Sequence, residues 1–171
     1  MRIIICGING AGKSTLAKAL AQKLRIPSFD IEDFYFNKTV DYKYSNPNSR
    51  KEVEHALQKE LSNKDNFILA ARKGNFEGVD FDVAIHLEID KNTQYKRLWE
   101  RSEHLFGARI KPNGDLYSCE KSFINGALSH TDEDIRDWIS EMKTVGKTVI
   151  ELDGSLSIKK NVYNVLAILK E

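Results

Sequence analysis

The chain has 171 residues, 41% hydrophobic and 30% charged, which is typical of one folded domain with a buried core. The formal net charge is +1, and this balance disfavours a long nucleic-acid interface, which needs a basic face. The sequence contains neither an apolar run of about 20 residues nor a secretory leader, so we expect a cytoplasmic protein outside the membrane. The oligomeric state stays open.

The first part of the chain alternates strand and helix patterns. Arg2–Cys6 is an unbroken apolar run, typical of a strand covered on both faces. A helix is predicted over residues 13–24, followed by a short strand over 27–32. Ser49 and Glu52 have the spacing of a capping box, which predicts the start of a helix.

The rest of the chain continues the alternation. Three more strands are predicted at 66–71, 81–89 and 148–152. In the strand at 81–89, apolar and polar residues alternate, which suits a half-exposed strand better than a central one, and the sequence leaves this conflict open. Helices are predicted from Asp90, from a second capping box at Thr131 and Asp134, and from about Ile158 to the end.

Strands that alternate with helices predict right-handed crossovers and a parallel sheet covered by helices on both sides. We therefore expect a three-layer α/β fold in a single domain over residues 1–171. The segment at about 30–62, which contains the acidic residues described below, should form the acceptor side of a ligand-binding site. A mobile lid should lie at about 104–130, because this segment contains Gly107, Pro112 and Gly114 between two helices.

The stretch "GINGAGKST" matches the phosphate-binding pattern G-x-x-x-x-G-K-[ST], between a buried strand and an amphipathic helix. Its backbone N–H groups should cradle the phosphates of ATP, with Lys13 at the β- and γ-phosphates and the Ser14 hydroxyl on Mg²⁺. The residues predicted to bind the nucleotide here are Gly7, Asn9, Gly10, Ala11, Gly12, Lys13, Ser14 and Thr15.

Three acidic residues follow the second predicted strand, in "FDIEDFYF". Asp30, Glu32 and Asp33 should lie near the carboxyl ends of the strands, where open α/β sheets bind ligands. A carboxylate there can accept the proton of an acceptor hydroxyl. It can also help to hold Mg²⁺, and we assign this second role to Asp30. The sequence leaves open which of the three is the base.

Arginines follow the fourth predicted strand. Arg97 and Arg101 lie four residues apart, on one face of a helix, and Arg109 follows in the lid. Phosphoryl transfer develops negative charge on the transferring oxygens, so we expect Arg101 and Arg109 to be catalytic.

A phosphate cradle by itself does not distinguish between classes of nucleotide-hydrolysing protein. The chain is too short for most motors, and it lacks a late Asn-Lys-x-Asp element of the kind that GTPases use. Two hypotheses remain: a kinase for a small hydroxyl-bearing acceptor, and a regulatory ATPase that acts on a protein or DNA partner.

The chain resembles the P-loop nucleoside and nucleotide kinase group, which includes adenylate kinase-like, shikimate kinase-like and uridine kinase-like ATP-binding proteins. "EDFYF" is similar to an acidic-x-Phe-Tyr element of uridine kinases, and "YKRLWERSEHLFGARIKPNGDLY" is similar to the lid entrance of adenylate kinases. The resemblance implies a P-loop fold with a five-stranded parallel sheet and a helical lid. It places Arg97, Arg101 and Arg109 near ATP and, through "VIELDGSLS", Asp153 and Gly154 beside the adenine.

The resemblance also implies ATP-dependent phosphotransfer to a small acceptor, with a nucleoside or nucleotide as the first expectation. The sequence departs from two members of the group. "AARKGNF" stands where adenylate kinases have Asp-Gly-x-Pro-Arg, and Asp30-x-Glu32 stands where shikimate kinases have Asp-x-Asp. These departures argue against AMP and shikimate as acceptors.

Overall fold

The structure is a computed structural model that describes residues 1–36 and 41–170. Its strands are β1 (Arg2–Cys6), β2 (Ser28–Asp30), β3 (Phe67–Ala70), β4 (Val83–Glu88) and β5 (Thr148–Asp153). Its α-helices are α1 (Lys13–Leu24), α2 (Glu32–Tyr35), α3 (Arg50–Leu61), α4 (Lys91–Phe106), α5 (Tyr117–Ser129), α6 (Glu133–Thr144) and α7 (Ile158–Ile168). A 3-10 helix at Gly107–Ile110 follows α4.

The five strands form one sheet in the order β2-β3-β1-β4-β5, and each neighbouring pair is parallel. This confirms the predicted five-stranded parallel sheet. Since β1 lies in the centre, the loop after it opens at the middle of the carboxyl edge, where the chain direction across the sheet reverses. Open α/β sheets bind ligands at such a point.

A hydrophobic cluster lies on each face of the sheet. Val83, Ile85 and Leu87 of β4 pack in a cluster with residues of α1 and α7. Ala84 belongs to the opposite cluster, which includes residues of α3 and α6. The sheet is therefore covered by helices on both faces, as the three-layer α/β fold class requires.

The interpretation of the fourth strand as half-exposed is wrong. β4 lies between β1 and β5, and its residues from Val83 to Leu87 are buried. The polar positions have separate explanations: Asp82 precedes the strand, Glu88 ends it, and His86 is buried beneath the helices of one face.

One predicted capping box is confirmed and the other is wrong. Ser49 and Glu52 exchange both hydrogen bonds at the start of α3. At the start of α6 the N-cap is Asp132, and no side chain caps the helix. Asp134 instead pairs with Arg72 across the carboxyl edge of the sheet, so a tertiary ion pair replaces the local cap.

The predicted lid segment contains the end of α4, the 3-10 helix and α5. Glu120 of α5 is fully buried and accepts hydrogen bonds from Ser102 of α4 and from Tyr42, the latter at 2.9 Å. The predicted acceptor-side segment contains β2, α2 and α3, while its residues 37–40 lie outside the described part of the chain. Among the described helices, none has the length and apolarity that crossing a membrane requires.

Candidate active site

A cleft of about 810 Å³ opens at the carboxyl edge of the sheet. Its walls come from the loop after β1, the end of β2 with α2, one face of α4, α5, and the loop before α7. This volume lies within the range of small-molecule sites, about 300–1,000 Å³. We treat this cleft as the candidate active site.

Glycine shapes the floor of the cleft. Gly10 and Gly12 have φ angles of 85° and 100°, in the left-handed region that favours glycine. At Gly7, a Cβ atom would lie 2.4 Å from the Leu87 carbonyl oxygen, so the close packing of loop on strand excludes a side chain. Gly12 is the N-cap of α1 and has no side chain to satisfy the first amides of the helix, which leaves them for an anion.

Lys13 begins α1 and lines the cleft. Its Nζ donates a 2.9 Å hydrogen bond to the carbonyl oxygen of Ile8, which places the ammonium across the glycine loop. Burial lowers the pKa of Lys13 to about 8, against the opposing charges of Glu32 and Asp30. A phosphate would supply the missing negative charge.

Ser14 and Asp30 provide oxygen atoms in the same cleft. Asp30 ends β2, and its Oδ1 accepts a 3.0 Å hydrogen bond from the Glu32 backbone N–H. A hydroxyl and a carboxylate are ligands of the kind that Mg²⁺ takes alongside phosphate and water.

Glu32 lies at the start of α2, inside the cleft. Lys43 Nζ lies 2.7 Å from its Oε2, and Arg101 Nη1 lies 3.5 Å from its Oε1. Burial alone would raise the pKa of Glu32, but the hydrogen bond from Lys43 and the charge of Arg101 outweigh it and hold the pKa below its usual value. Glu32 is thus an ionised carboxylate at neutral pH.

Asp33 points elsewhere. It follows Glu32 on α2, but it is exposed and is absent from the described residues that line the cleft. On a helix, successive residues lie about 100° apart, so Glu32 and Asp33 cannot share one face. The structure thus brings two of the three predicted acids into the cleft.

Arg101 reaches the cleft from α4. Its guanidinium lies over the rings of Tyr44 and Phe123, at 5.7 and 5.9 Å from their centroids. Its Nε and Nη2 atoms are buried and have no hydrogen-bond partner among the described residues. Buried donors without partners are costly, so Arg101 is well placed to bind an anionic ligand.

The other two predicted arginines differ in position. Arg97 lines the cleft, and its Nη1 donates a 3.2 Å hydrogen bond to the Ala11 carbonyl oxygen in the glycine loop. Arg109 lies outside the described cleft lining and pairs with Asp41 at 2.7 Å and Asp115 at 2.6 Å. Hydrogen bonds from Arg109 to these two carboxylates raise its pKa further.

Some predicted nucleotide-binding residues shape the site without lining it. Gly7 and Ala11 support the glycine loop, and Ala11 is buried. Asp153 is exposed and accepts a hydrogen bond from the Ser155 amide, while the Gly154 amide donates to the Glu88 carbonyl oxygen at 2.7 Å. The remaining predicted loop residues, Asn9, Gly10, Gly12, Lys13, Ser14 and Thr15, all line the cleft.

The cleft also contains residues that the sequence analysis missed. Arg72 follows β3 at the carboxyl edge, so the rule that pointed to Asp30 would also have pointed to Arg72. The other missed residues are Ile31, Tyr35, Phe36, Phe123 and residues 155–158. Phe123 carried no such signal, since it lies in a helix far along the chain and packing alone brings it here.

Comparison with known proteins shows the family to which the chain belongs. Residues 3–112 match the family model AAA_18, described as an AAA domain. The Bacillus subtilis protein YqaC is 25% identical over 175 residues, which cover 96% of this chain and 94% of that protein. A shikimate kinase from Enterococcus faecalis is 31% identical over 146 residues, which cover 75% of this chain and 86% of the relative.

A similar solved structure is a deoxyadenosine kinase from M. mycoides with the products dCMP and dCDP bound. It has a TM-score of 0.57 and 19% identity, and the match covers 99% of this chain and 98% of that one. This likeness confirms the three-layer α/β P-loop fold. The chain belongs to the AAA_18 family of AAA domains and is a small-molecule kinase of the P-loop nucleoside and nucleotide kinase group.

Proposed function

We propose that this kinase transfers the γ-phosphoryl group of ATP, with Mg²⁺, to a hydroxyl of a nucleoside or nucleotide. The observation that carries the proposal is the presence of Glu32 and Arg101 in one cleft with the glycine loop. As an ATP-consuming enzyme it would act in the cytoplasm, where ATP is abundant.

The residues of the cleft fit a nucleoside triphosphate. The φ angles of Gly10 and Gly12 curl the loop, and α1 begins there with uncapped amides. Lys13 would bind the β- and γ-phosphates. Arg97 would hold the glycine loop in place through its hydrogen bond to the Ala11 carbonyl oxygen. Ser14, with Asp30, would hold Mg²⁺, which neutralises phosphate charge when bound.

On the acceptor side, Glu32 is the candidate general base. The acceptor hydroxyl would give its proton to the Glu32 carboxylate as its oxygen bonds to the γ-phosphorus, while the bond to the bridging oxygen of ADP breaks. Arg101 would donate hydrogen bonds from Nε and Nη2 to the phosphoryl oxygens as their charge grows.

A flat aromatic acceptor fits the walls of the cleft. Tyr35, Phe36 and Phe123 line the same cleft as Glu32, and rings of this kind stack on nucleobases. The similar structure named above is described with bound deoxycytidine nucleotides, and another structure of the same enzyme with dATP. Shikimate is the rival acceptor because of the shikimate kinase relatives, although Asp30-x-Glu32 lacks the second aspartate of their motif.

The test is an acceptor screen in which ADP release is measured with ATP, Mg²⁺ and one compound at a time. Ribo- and deoxyribonucleosides, their monophosphates and shikimate form the set. ADP release that depends on a nucleoside or nucleotide, with a phosphorylated product seen by mass spectrometry, supports the proposal. Turnover with shikimate alone would contradict it, and ADP release that no acceptor changes would favour a regulatory ATPase.

A further inference from the structure

A second polar cluster lies outside the cleft, on the sheet face that α3 and α6 cover. It consists of His86 and Glu88, which point to the same face of β4, and Asp132, the N-cap of α6. One ligand atom from each lies within 4.8 Å of the other two. None of the three is among the described residues that line the cleft.

His86 is the unusual member of the cluster. It is 1% exposed, yet its Nδ1 has no hydrogen-bond partner among the described residues. The nearest acidic atom is Glu88 Oε1, at 3.8 Å. Buried polar atoms nearly always have a bonding partner, so the unpaired Nδ1 indicates that this nitrogen binds a ligand.

The two carboxylates of the cluster are only partly neutralised by the arginine beside them, so their charge favours binding of a further cation. Arg136 Nη2 lies 3.2 Å from Glu88 and 3.0 Å from Asp132, so one guanidinium faces two carboxylates. The Arg136 side chain is 62% exposed and can swing into solvent. Glu151, opposite His86 on β5, adds negative charge but is paired with Lys143 at 2.9 Å.

We propose that His86, Glu88 and Asp132 bind a divalent transition-metal ion of the Zn²⁺ class. A tetrahedral zinc ion with ligands at about 2.0–2.2 Å separates those ligands by roughly 3.4 Å. The distance of 3.8 Å between His86 and Glu88 needs little adjustment to reach that value. An imidazole in the ligand set favours Zn²⁺ or Co²⁺ over Mg²⁺, Ca²⁺ and Mn²⁺, which prefer oxygen ligands.

The ion would join the carboxyl end of β4 to the start of α6. The segment just before α6 is hydrogen-bonded to the start of α4, because Lys91 Nζ donates to the Leu128 and His130 carbonyl oxygens at 2.6 and 2.9 Å. The site would therefore stabilise the point at which the predicted lid rejoins the sheet.

The experiment uses the whole chain with Cys119→Ser as the background, because that exposed thiol could bind metal by itself. Co²⁺ and Zn²⁺ are titrated without nucleotide, and visible absorption, calorimetry and the melting temperature are recorded. We expect one ion per chain, a cobalt spectrum without sulfur charge transfer, and a melting temperature that rises with metal concentration.

Variants assign the ligands. Asp132→Asn, at a partly exposed position, and His86→Gln should each weaken Zn²⁺ binding at least about 100-fold, more than the loss of an outer-shell partner costs. Arg136→Gln removes the competing guanidinium and should bind at least as tightly as the parent. Ser14→Ala, in the Mg²⁺ site proposed for the cleft, should leave Zn²⁺ binding unchanged.

A parent protein that binds neither ion at 100 times its own concentration would overturn the metal site. Binding that survives Asp132→Asn or His86→Gln would also overturn it, as would binding that is lost in Ser14→Ala or Arg136→Gln. Because the titration needs neither ATP nor an acceptor, its outcome is independent of the proposed kinase reaction.

Discussion

Arg101 Nη1 lies 3.5 Å from Glu32 Oε1, although the two residues are 69 positions apart in the chain. The contact joins the arginine-bearing helix α4 to the acidic helix α2 inside the cleft. It places a group that can stabilise phosphoryl charge beside a group that can accept a proton. The proposed mechanism depends on this pair, and the first two predictions test its members.

Glu32→Gln should lower kcat by about 100-fold or more and leave ATP binding intact, since it removes the proton acceptor but no phosphate contact. Steady-state kinetics and equilibrium ATP binding measure the two effects. Because the pKa of Glu32 is held below its usual value, protonation of this carboxylate should lower the wild-type rate only at pH values below the ordinary range of a glutamate. Asp33→Asn is the matched control, because Asp33 is exposed outside the cleft lining. A normal rate in Glu32→Gln would move the base elsewhere, with Asp30→Asn as the next variant.

Arg101→Ala should reduce kcat more than it weakens ATP binding, because the charge that Arg101 meets grows towards the transition state. Arg109→Ala tests whether the lid arginine shares this role. In this structure Arg109 forms ion pairs with Asp41 and Asp115. A fall in kcat in Arg109→Ala would therefore show that the lid rearranges before phosphoryl transfer. Equal losses of ATP affinity and kcat in Arg101→Ala would indicate a binding role alone.

Nucleotide binding should take up protons near pH 8. The pKa of Lys13 is lowered to about 8, so about half of the empty enzyme lacks this proton at pH 8, and bound phosphates would restore it. Calorimetry of a non-hydrolysable ATP analogue in buffers of different ionisation enthalpy counts the protons. Uptake of about half a proton at pH 8 should be absent in Lys13→Arg, which stays charged. The same count in both proteins would exclude Lys13 as its source.

Lys13→Met should abolish turnover and raise the stability of the empty enzyme. A lowered lysine pKa means that the folded state disfavours the charged form, and this penalty is complete below about pH 8. It should fade as the pH rises from about 8 towards 10.5, the ordinary value, where the unfolded chain also loses the proton. Urea unfolding of both proteins at pH 7 and pH 10 measures the difference. A variant less stable than the wild type at pH 7 would contradict the expectation.

Backbone amides between residues 104 and 130 should exchange faster in the empty enzyme than with an ATP analogue and Mg²⁺, because a lid that closes over nucleotide gains contacts. Glu120 ties this segment to Ser102 and Tyr42. Tyr42→Phe removes one of these bonds and should speed exchange in the empty form. Slow exchange that neither nucleotide nor Tyr42→Phe alters would show a rigid segment.

Local patterns in the sequence predicted the loop that we propose to bind the nucleotide. The spacing of Gly7, Gly12, Lys13 and Ser14 predicted a phosphate loop because the loop acts through its own backbone and the helix that follows. Strand and helix periodicity predicted the parallel sheet, since the pattern of each element reflects which of its faces is buried. The same reasoning put Asp30 and Glu32 at the carboxyl edge.

Only the tertiary structure decided which of the predicted groups share the cleft. Asp33 differs from Glu32 by one position, and the orientation of a short helix turns it to solvent. Phe123 reaches the site because α5 packs on α4, a contact that no local pattern encodes. The burial of His86 likewise depends on helices placed far from β4 in the sequence. Periodicity reports that a face is covered, but the partner that covers it is selected by long-range packing.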